Sequence, residues 1–243
     1  MNFYAVIIGT EILNGRREDK HFEFIKKELA KYGHELFASY IIKDDRELMR
    51  KTYEMVFSDE NAIMFSFGGI GSTPDDLTRE IAAQVFQSSS VVSHQQFYKD
   101  IVQRFAEKAF PHRIHMADLP PSADLIFNPI NNMSGFSLFE KFFFVPGFPS
   151  MSHPMIATVI KEKFSHSIKR YRQTLYAHTS EETLITLMQS LPASIEISCL
   201  PMFVENKPHV ELSLSSSDNE SLKENFSLFE KMLYNKNIYY ELH

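Results

Sequence analysis

The chain has 243 residues, with 25 Lys and Arg against 31 Asp and Glu, a net charge of −6. That length suits one large domain or a medium and a small one, and 44% apolar with 23% charged residues is the balance of a folded globular protein. The acidic balance leaves no broad basic surface, so no nucleic-acid partner is expected, and the single cysteine, Cys199, excludes an internal disulfide or a cysteine-rich zinc site.

The elements follow in chain order. Phe3 to Ile8 is a nearly continuous apolar run ending at Gly9, the pattern of a buried central strand. The segment before it lacks the basic start of a secretory signal. No apolar stretch reaches membrane-spanning length, so a cytoplasmic protein with no membrane partner is expected. Asp19 to Tyr32 carries Phe22, Ile25, Leu29 and Tyr32 at helical spacing, and Gly33 stops it. Glu35 to Ile42 is rich in strand formers, and Asp44-Asp45 opens a helix with Leu48, Thr52, Met55 and Val56 on one side. Ala62 to Phe67 is a second buried strand, followed by helices over Leu77 to Phe86 and Gln95 to Ala109. Strand and helix in short alternation predict an α/β domain, a three-layer arrangement with a parallel sheet covered on both faces. Ligands bind such sheets at the C-terminal ends of the strands.

Met116 to Pro129 is proline-rich with a short strand at Asp124 to Asn128. Phe136 to Phe139 and Lys141 to Val145 read as an antiparallel pair, with Phe142, Phe143 and Phe144 as core. The turn Pro146-Gly147-Phe148-Pro149-Ser150 leads into a helix over Met151 to Phe164. Ser165 to Arg170 reads as a polar linker between a domain over residues 1–165 and a small α+β domain over residues 171–243. That second domain gives strand, helix, strand, strand, helix, strand, the order of a split βαβ unit. Cys199 falls in an apolar segment there and is expected as a small core residue. His112 and His115 have no glutamate at zincin spacing and are expected on the surface.

Chemistry concentrates after the second buried strand. Gly68, Gly69 and Gly71 are followed by Ser72, Thr73, Pro74, Asp75 and Asp76, and a helix begins near Leu77 and Thr78. Glycines let a ligand approach backbone N–H groups, and a helix N-terminus favours anions such as phosphate. The carboxylates suit a divalent metal such as Mg²⁺ or general-base work beside that phosphate. In the alternative, Asp75 or Asp76 caps the helix, and one of the two is expected to do so. Asp44 and Asp45 carry the same ambiguity between cap and function. Glu11 is a polar contact, a metal ligand or a surface residue. Arg79 either pairs a phosphate or makes a solvated ion pair with Glu80 or Asp75.

Four blocks resemble the molybdopterin-binding domain family of MoaB, MogA and CinA, most of all the N-terminal part of CinA (competence/damage-inducible protein A). They are Gly9-Thr10-Glu11-Ile12-Leu13-Asn14-Gly15, the loop Gly68 to Glu80, Met116 to Phe136, and Val145 to Met155. The tail resembles the small KH-like domain that follows in CinA proteins, but it has no Gly-x-x-Gly loop, so RNA binding is not expected. The amidase domain of full-length CinA proteins is not expected within these residues. Some positions depart from the family pattern. Asn14 stands at a common small-hydroxyl position and Ser72 at a proline. Asn132-Met133-Ser134 stands where Ala-Pro is usual, and Ser150-Met151 shifts or loses a glutamate. Arg16-Arg17-Glu18-Asp19-Lys20-His21 replaces a segment with Asp, one residue, then Asn; Asp19 is kept and His21 takes the Asn place.

The resemblance implies catalytic roles for Asp76 and for Asp44 or Asp45, with metal held at Asp75 and Asp76. It implies contacts to a small phosphorylated ligand, a nucleotide or a pterin, from Gly9, Thr10, Glu11, Gly68, Gly69, Gly71, Ser72, Thr73, Thr78, Pro146 and Gly147. CinA-like proteins are associated with metal-dependent pyrophosphatase activity on ADP-ribose and related dinucleotides. MoaB and MogA imply molybdopterin as ligand, with binding or adenylyl transfer in molybdenum cofactor biosynthesis. A non-catalytic binding or assembly module is the third reading. Relatives commonly oligomerise, so a homodimer or higher homo-oligomer is expected.

Overall fold

A computed structural model describes residues 1–166 and 169–243. The expected linker, Ser165 to Arg170, includes Ser167 and Ile168, which lie outside the described residues. The chain divides into two compact units, Met1–Ser167 and Ile168–His243.

The first unit is built on a six-stranded sheet. Strand β1 (Asn2–Ile8) is followed by a single turn, α1 (Thr10–Leu13), helix α2 (His21–Ala30) and strand β2 (Leu36–Ile42). Helix α3 (Arg46–Phe57), strand β3 (Ala62–Phe67) and helix α4 (Thr78–Gln87) come next. An excursion contains β4 (Val92–Ser93), α5 (Gln95–Phe105) and β5 (Asp118–Leu119), with β4 and β5 forming a separate two-stranded ladder. The chain re-enters the sheet with β6 (Asp124–Ile126), β7 (Gly135–Leu138) and β8 (Phe142–Val145), then closes with α6 (Pro149–Lys163). The strand order is β2-β1-β3-β8-β7-β6. The first four strands are parallel, and β7 and β6 complete the sheet antiparallel. This is the parallel-dominated α/β architecture that the alternating pattern predicts.

Period-two alternation in β1 explains the three layers. Tyr4, Val6 and Ile8 face a core with Met49, Tyr53 and Val56 of α3 and Ile81 and Phe86 of α4. Phe3, Ala5 and Ile7 face a second core with Ile25 and Leu29 of α2 and Met155, Ile156 and Ile160 of α6. Both sides of the strand are buried, so it reads as one apolar run. Phe142 and Phe144 join the first core and Phe143 the second. Each such side chain contributes about 1.5–3 kcal/mol on burial. Pro149 opens α6 at its first helical position, where the missing N–H costs no hydrogen bond.

The register aligns the strand ends. Ile8 pairs with Ile42, Ile7 with Phe67, and Phe67 with Val145. The residues that follow therefore leave the sheet side by side: Gly9 from β1, Asp44 after β2, Gly68 from β3 and Pro146 from β8. Gly9 N–H donates to Ile42 O at 3.0 Å, and Gly68 N–H to Val145 O at 2.9 Å, extending the ladder into the loops.

One local expectation needs correction, and one element was not foreseen. The helix expected over Gln95 to Ala109 ends at Phe105 and continues only as a 3₁₀ turn over Ala106–Ala109. Ala106 sits at φ 47°, a conformation that stops an α-helix. The single turn α1 was not apparent in the sequence, which offers no apolar periodicity over four residues.

The second unit contains β9 (Tyr171–Ala177), α7 (Ile185–Ser190), β10 (Glu196–Val204), β11 (Lys207–Ser216), α8 (Asn219–Asn235) and β12 (Tyr240–Leu242). Its antiparallel sheet has the order β10-β11-β9-β12, the split βαβ arrangement. Leu212, Leu214, Phe226 and Phe229 lead its core. Cys199 is only half-buried, because it lies on the edge strand β10 and packs against the margin of that core.

Candidate functional site

The four strand-end loops open onto one cleft with a cavity volume of about 700 Å³. That is the size of a small-molecule pocket. The glycine loop forms one part of it through Gly68, Gly69, Gly71, Ser72, Thr73, Asp75 and Asp76. Glu11 and Asp44 enter from the ends of β1 and β2, and Pro146 and Gly147 from the end of β8. Of the residues singled out in the sequence, these eleven line the cleft together.

The loop geometry shows why glycine is needed. Gly68 has φ 105°, and a Cβ on it would stand 2.5 Å from the Ile8 carbonyl oxygen. Gly69 has φ 68°, and its Cβ would meet Thr78 Oγ1 at 2.3 Å. Thr78 N–H donates to Gly69 O and Thr78 Oγ1–H to Gly68 O, both at 3.0 Å. Thr78 is thus a buried brace behind the loop rather than part of the lining. A Cβ on Gly147 would lie 3.3 Å from Gly68 Cα, so the Pro-Gly turn rests directly on the glycine loop.

The carboxylates have different surroundings. Asp76 Oδ2 accepts from Thr73 N at 2.8 Å and from Thr73 Oγ1 at 2.5 Å. Neither Asp75 nor Asp76 caps α4: its N-cap is Leu77, with no side-chain hydrogen bond. This corrects the expected cap. The chain folds back through Thr73 before the helix starts, and Thr78 N is already satisfied by Gly69 O. Asp75 is exposed and has no side-chain partner among the described residues.

The Asp44–Asp45 pair resolves cleanly. Asp45 is the N-cap of α3 and accepts from Leu48 N at 2.9 Å. It does not line the cleft, which corrects its place among the catalytic candidates. Asp44 Oδ2 accepts from Thr10 N and Thr10 Oγ1, both at 2.8 Å, and Asp44 N–H donates to Thr10 Oγ1 at 3.2 Å. Thr10 therefore positions Asp44 in the cleft wall. Gly9 is buried behind it, outside the lining.

Arg79 departs from both alternatives considered for it. It is 8% exposed, and its Nη1 has no hydrogen-bond partner among the described residues. Glu80 pairs instead with Arg46 at 2.9 Å. Burial pulls the Arg79 pKa down, while the charges of Asp76, Asp118 and Glu80 push it up. It does not line the cleft.

Sequence reasoning missed several lining residues. His21 is 3% exposed and stacks on Phe67 at 4.5 Å. Its Nε2 lies 3.2 Å from Gly147 O, and its Nδ1 lies 3.3 Å from His153 Nε2. One arrangement of protons satisfies both: His21 donates to the carbonyl and accepts from His153. Burial lowers the pKa of both rings; burial, and after it the neighbouring His21, bring that of His153 down to about 4. Asp19 fixes this end of α2 by accepting from His21 N at 2.8 Å and Phe22 N at 3.1 Å. Arg16, Arg17 and Arg113 add positive charge to the lining, and Phe97, Phe105, Phe148, Met116, Met133 and Met151 add an apolar wall. Arg16 and Arg17 were visible in the sequence only as departures from a pattern and Arg113 not at all, while Met116, Met133, Phe148 and Met151 lay inside recognised blocks without being read as lining, and Phe97 and Phe105 read only as helix. His112 and His115 are exposed, as expected, and His115 pairs with Asp118 at 2.8 Å.

The unit is a three-layer α/β domain whose cleft lies at the C-terminal edge of parallel strands, the place where such sheets bind small ligands. The chain belongs to the family described as "Probable molybdopterin binding domain", whose pattern matches residues 4–166. A CinA-like protein of Nostoc punctiforme is 30% identical over 162 residues, which are 64% of this chain and 38% of that protein. A CinA-like protein of Syntrophomonas wolfei is 27% identical over 232 residues, 89% of this chain and 55% of its own length. The chain thus spans about half or less of these relatives. A crystal structure described as the protein CinA with unknown function, from Thermoplasma acidophilum, superposes with a TM-score of 0.60 at 24% identity. It covers 67% of this chain and 98% of its own, a likeness of fold. Among the described residues no helix is long and apolar enough to cross a membrane.

Proposed function

We propose that the cleft binds a small phosphorylated ligand and hydrolyses a phosphoanhydride bond of a dinucleotide such as ADP-ribose. The observation that carries this reading is the meeting of the glycine loop, Asp44 and Asp76 in one cleft at the strand ends. Backbone N–H groups of the loop would hold a phosphate, and Asp76 would orient the attacking water and take its proton. Thr73 would keep that carboxylate aimed.

No group of three His, Cys, Asp or Glu side chains forms a metal cage among the described residues. Mg²⁺ needs less, since one or two carboxylates with water and ligand phosphates suffice. Asp76 with the unpartnered Asp75 fits that requirement. A bound Mg²⁺ would neutralise charge developing on the phosphates.

Incubation with ADP-ribose and Mg²⁺, Mn²⁺ or Co²⁺, with release of AMP as the readout, tests the proposal. No AMP with any of the three metals retires the hydrolase reading. The family description supports a second reading, in which the cleft holds molybdopterin for binding or adenylyl transfer. Titration with molybdopterin, followed by its fluorescence, decides that one. Binding without turnover of either ligand class would leave a non-catalytic module. Assembly as a homodimer or higher oligomer is part of the same proposal, and light scattering at micromolar concentration tests it.

A further inference from the structure

The turn after α1 brings two guanidinium groups, those of Arg16 and Arg17, to the cleft. Gly15 turns the chain at φ 77°, and Arg17 N–H donates to Glu11 O at 2.9 Å. Asn14 Oδ1 accepts from Arg16 N and from Arg16 Nε, both at 3.2 Å. These bonds fix the near end of the Arg16 guanidinium and leave its terminal nitrogens without a partner among the described residues. Arg17 lies 3.8 Å from the Glu11 carboxylate and 5.7 Å over the Phe148 ring. Both arginines line the same cleft as the glycine loop.

Stability does not account for this arrangement. An ion pair at 3.8 Å between side chains 59% and 35% exposed is too loose and too wet to matter. What the turn offers is a pair of charged forks, the geometry that binds phosphate through two parallel hydrogen bonds. The glycine loop offers a different kind of anion site, made of backbone N–H groups. The two sites follow neighbouring strands, β1 and β3, and open onto one cleft.

We infer that Arg16 and Arg17 receive the second phosphate of a diphosphate-bearing ligand whose first phosphate lies in the Gly68–Thr73 loop. The inference rests on the phosphate reading of that loop. It makes the two arginines specificity residues that separate a diphosphate from a monophosphate. Phe148, beneath Arg17, holds the guanidinium over the cleft.

Calorimetric titration of the full chain with ADP and with AMP, in Mg²⁺, tests it. The wild type should bind ADP at least about tenfold more tightly, the worth of one charge-assisted contact. In the double variant Arg16→Gln/Arg17→Gln, ADP affinity should fall to that of AMP, with AMP within about twofold of wild type. Both side chains are exposed, so the melting temperature should hold, and a thermal scan checks that the variant is folded. A folded variant that keeps the ADP preference, or loses AMP and ADP equally, overturns the inference. Wild-type protein that binds AMP but shows no preference for ADP overturns it while leaving the glycine-loop reading intact. Wild-type protein that binds neither overturns both.

Discussion

Asp76 folds over Gly71 so closely that a Cβ on the glycine would stand 2.6 Å from Asp76 Oδ2. The glycine is thus required by the acid, and the acid is held by Thr73 on the far side of the loop. Gly71→Ala separates site geometry from fold. The obstructing atom is the end of a side chain, so the carboxylate can move away. Stability should change by less than about 1 kcal/mol, while ADP-ribose hydrolysis falls with the displaced acid. Gly68→Ala should behave oppositely. Its φ of 105° is strained for alanine and its Cβ would meet a backbone oxygen. A loss of about 2 kcal/mol or more in urea unfolding is expected.

Asp76→Asn keeps the shape of the side chain and removes its charge. The amide oxygen can still accept from Thr73, so the loop and the melting temperature should hold. If Asp76 positions and deprotonates the attacking water, hydrolysis should drop about 10²-fold or more. Asp75→Asn should cost less, since Asp75 is placed only as a Mg²⁺ ligand and not as the base. AMP release at the wild-type rate from Asp76→Asn would remove Asp76 from the catalytic role.

The sheet was legible in the sequence because its central strands are buried on both faces. Ala62 to Phe67 therefore reads as an uninterrupted apolar run, and β3 has those bounds. The convergence of the loops followed from the same fact, since parallel strands end on one edge. What escaped was anything set by a partner distant in sequence. His21 gains its place from Gly147 and His153, 126 and 132 positions away. The role of Asp45 was open because a cap and a catalytic acid look alike until Leu48 N is seen against its side chain. Arg79 read as a phosphate partner or a solvated ion pair because it sits at a helix start, and only packing shows it buried.

Arg79 gives a prediction of unusual sign. A buried guanidinium with an orphaned Nη1 carries a desolvation cost that hydrogen bonds do not repay. Arg79→Met keeps most of the apolar stem and removes the charge. Its urea midpoint should match or exceed that of the wild type. A loss above about 2 kcal/mol would mean that the charge is needed by Asp76 and Asp118 across the loop.

The histidine pair sets an acid limit on the first unit. His153 has a folded-state pKa near 4, below the ordinary 6.5 of histidine, and burial lowers His21 in the same direction. Below pH 6.5 the unfolded chain takes up protons that the folded pair resists, so the unfolded state gains. The stabilisation is whole above about pH 6.5, declines as pH falls, and is lost as pH passes through about 4. Protonation of both rings would set two N–H groups against each other between His21 Nδ1 and His153 Nε2, while His21 Nε2–H keeps its bond to Gly147 O. His153→Phe removes one titrating ring and keeps a flat partner for Phe24, which stacks on His153 at 3.8 Å. The variant should lose less stability than wild type between pH 7 and pH 5, measured by urea unfolding at each pH. Equal losses in the two proteins would place the acid sensitivity elsewhere.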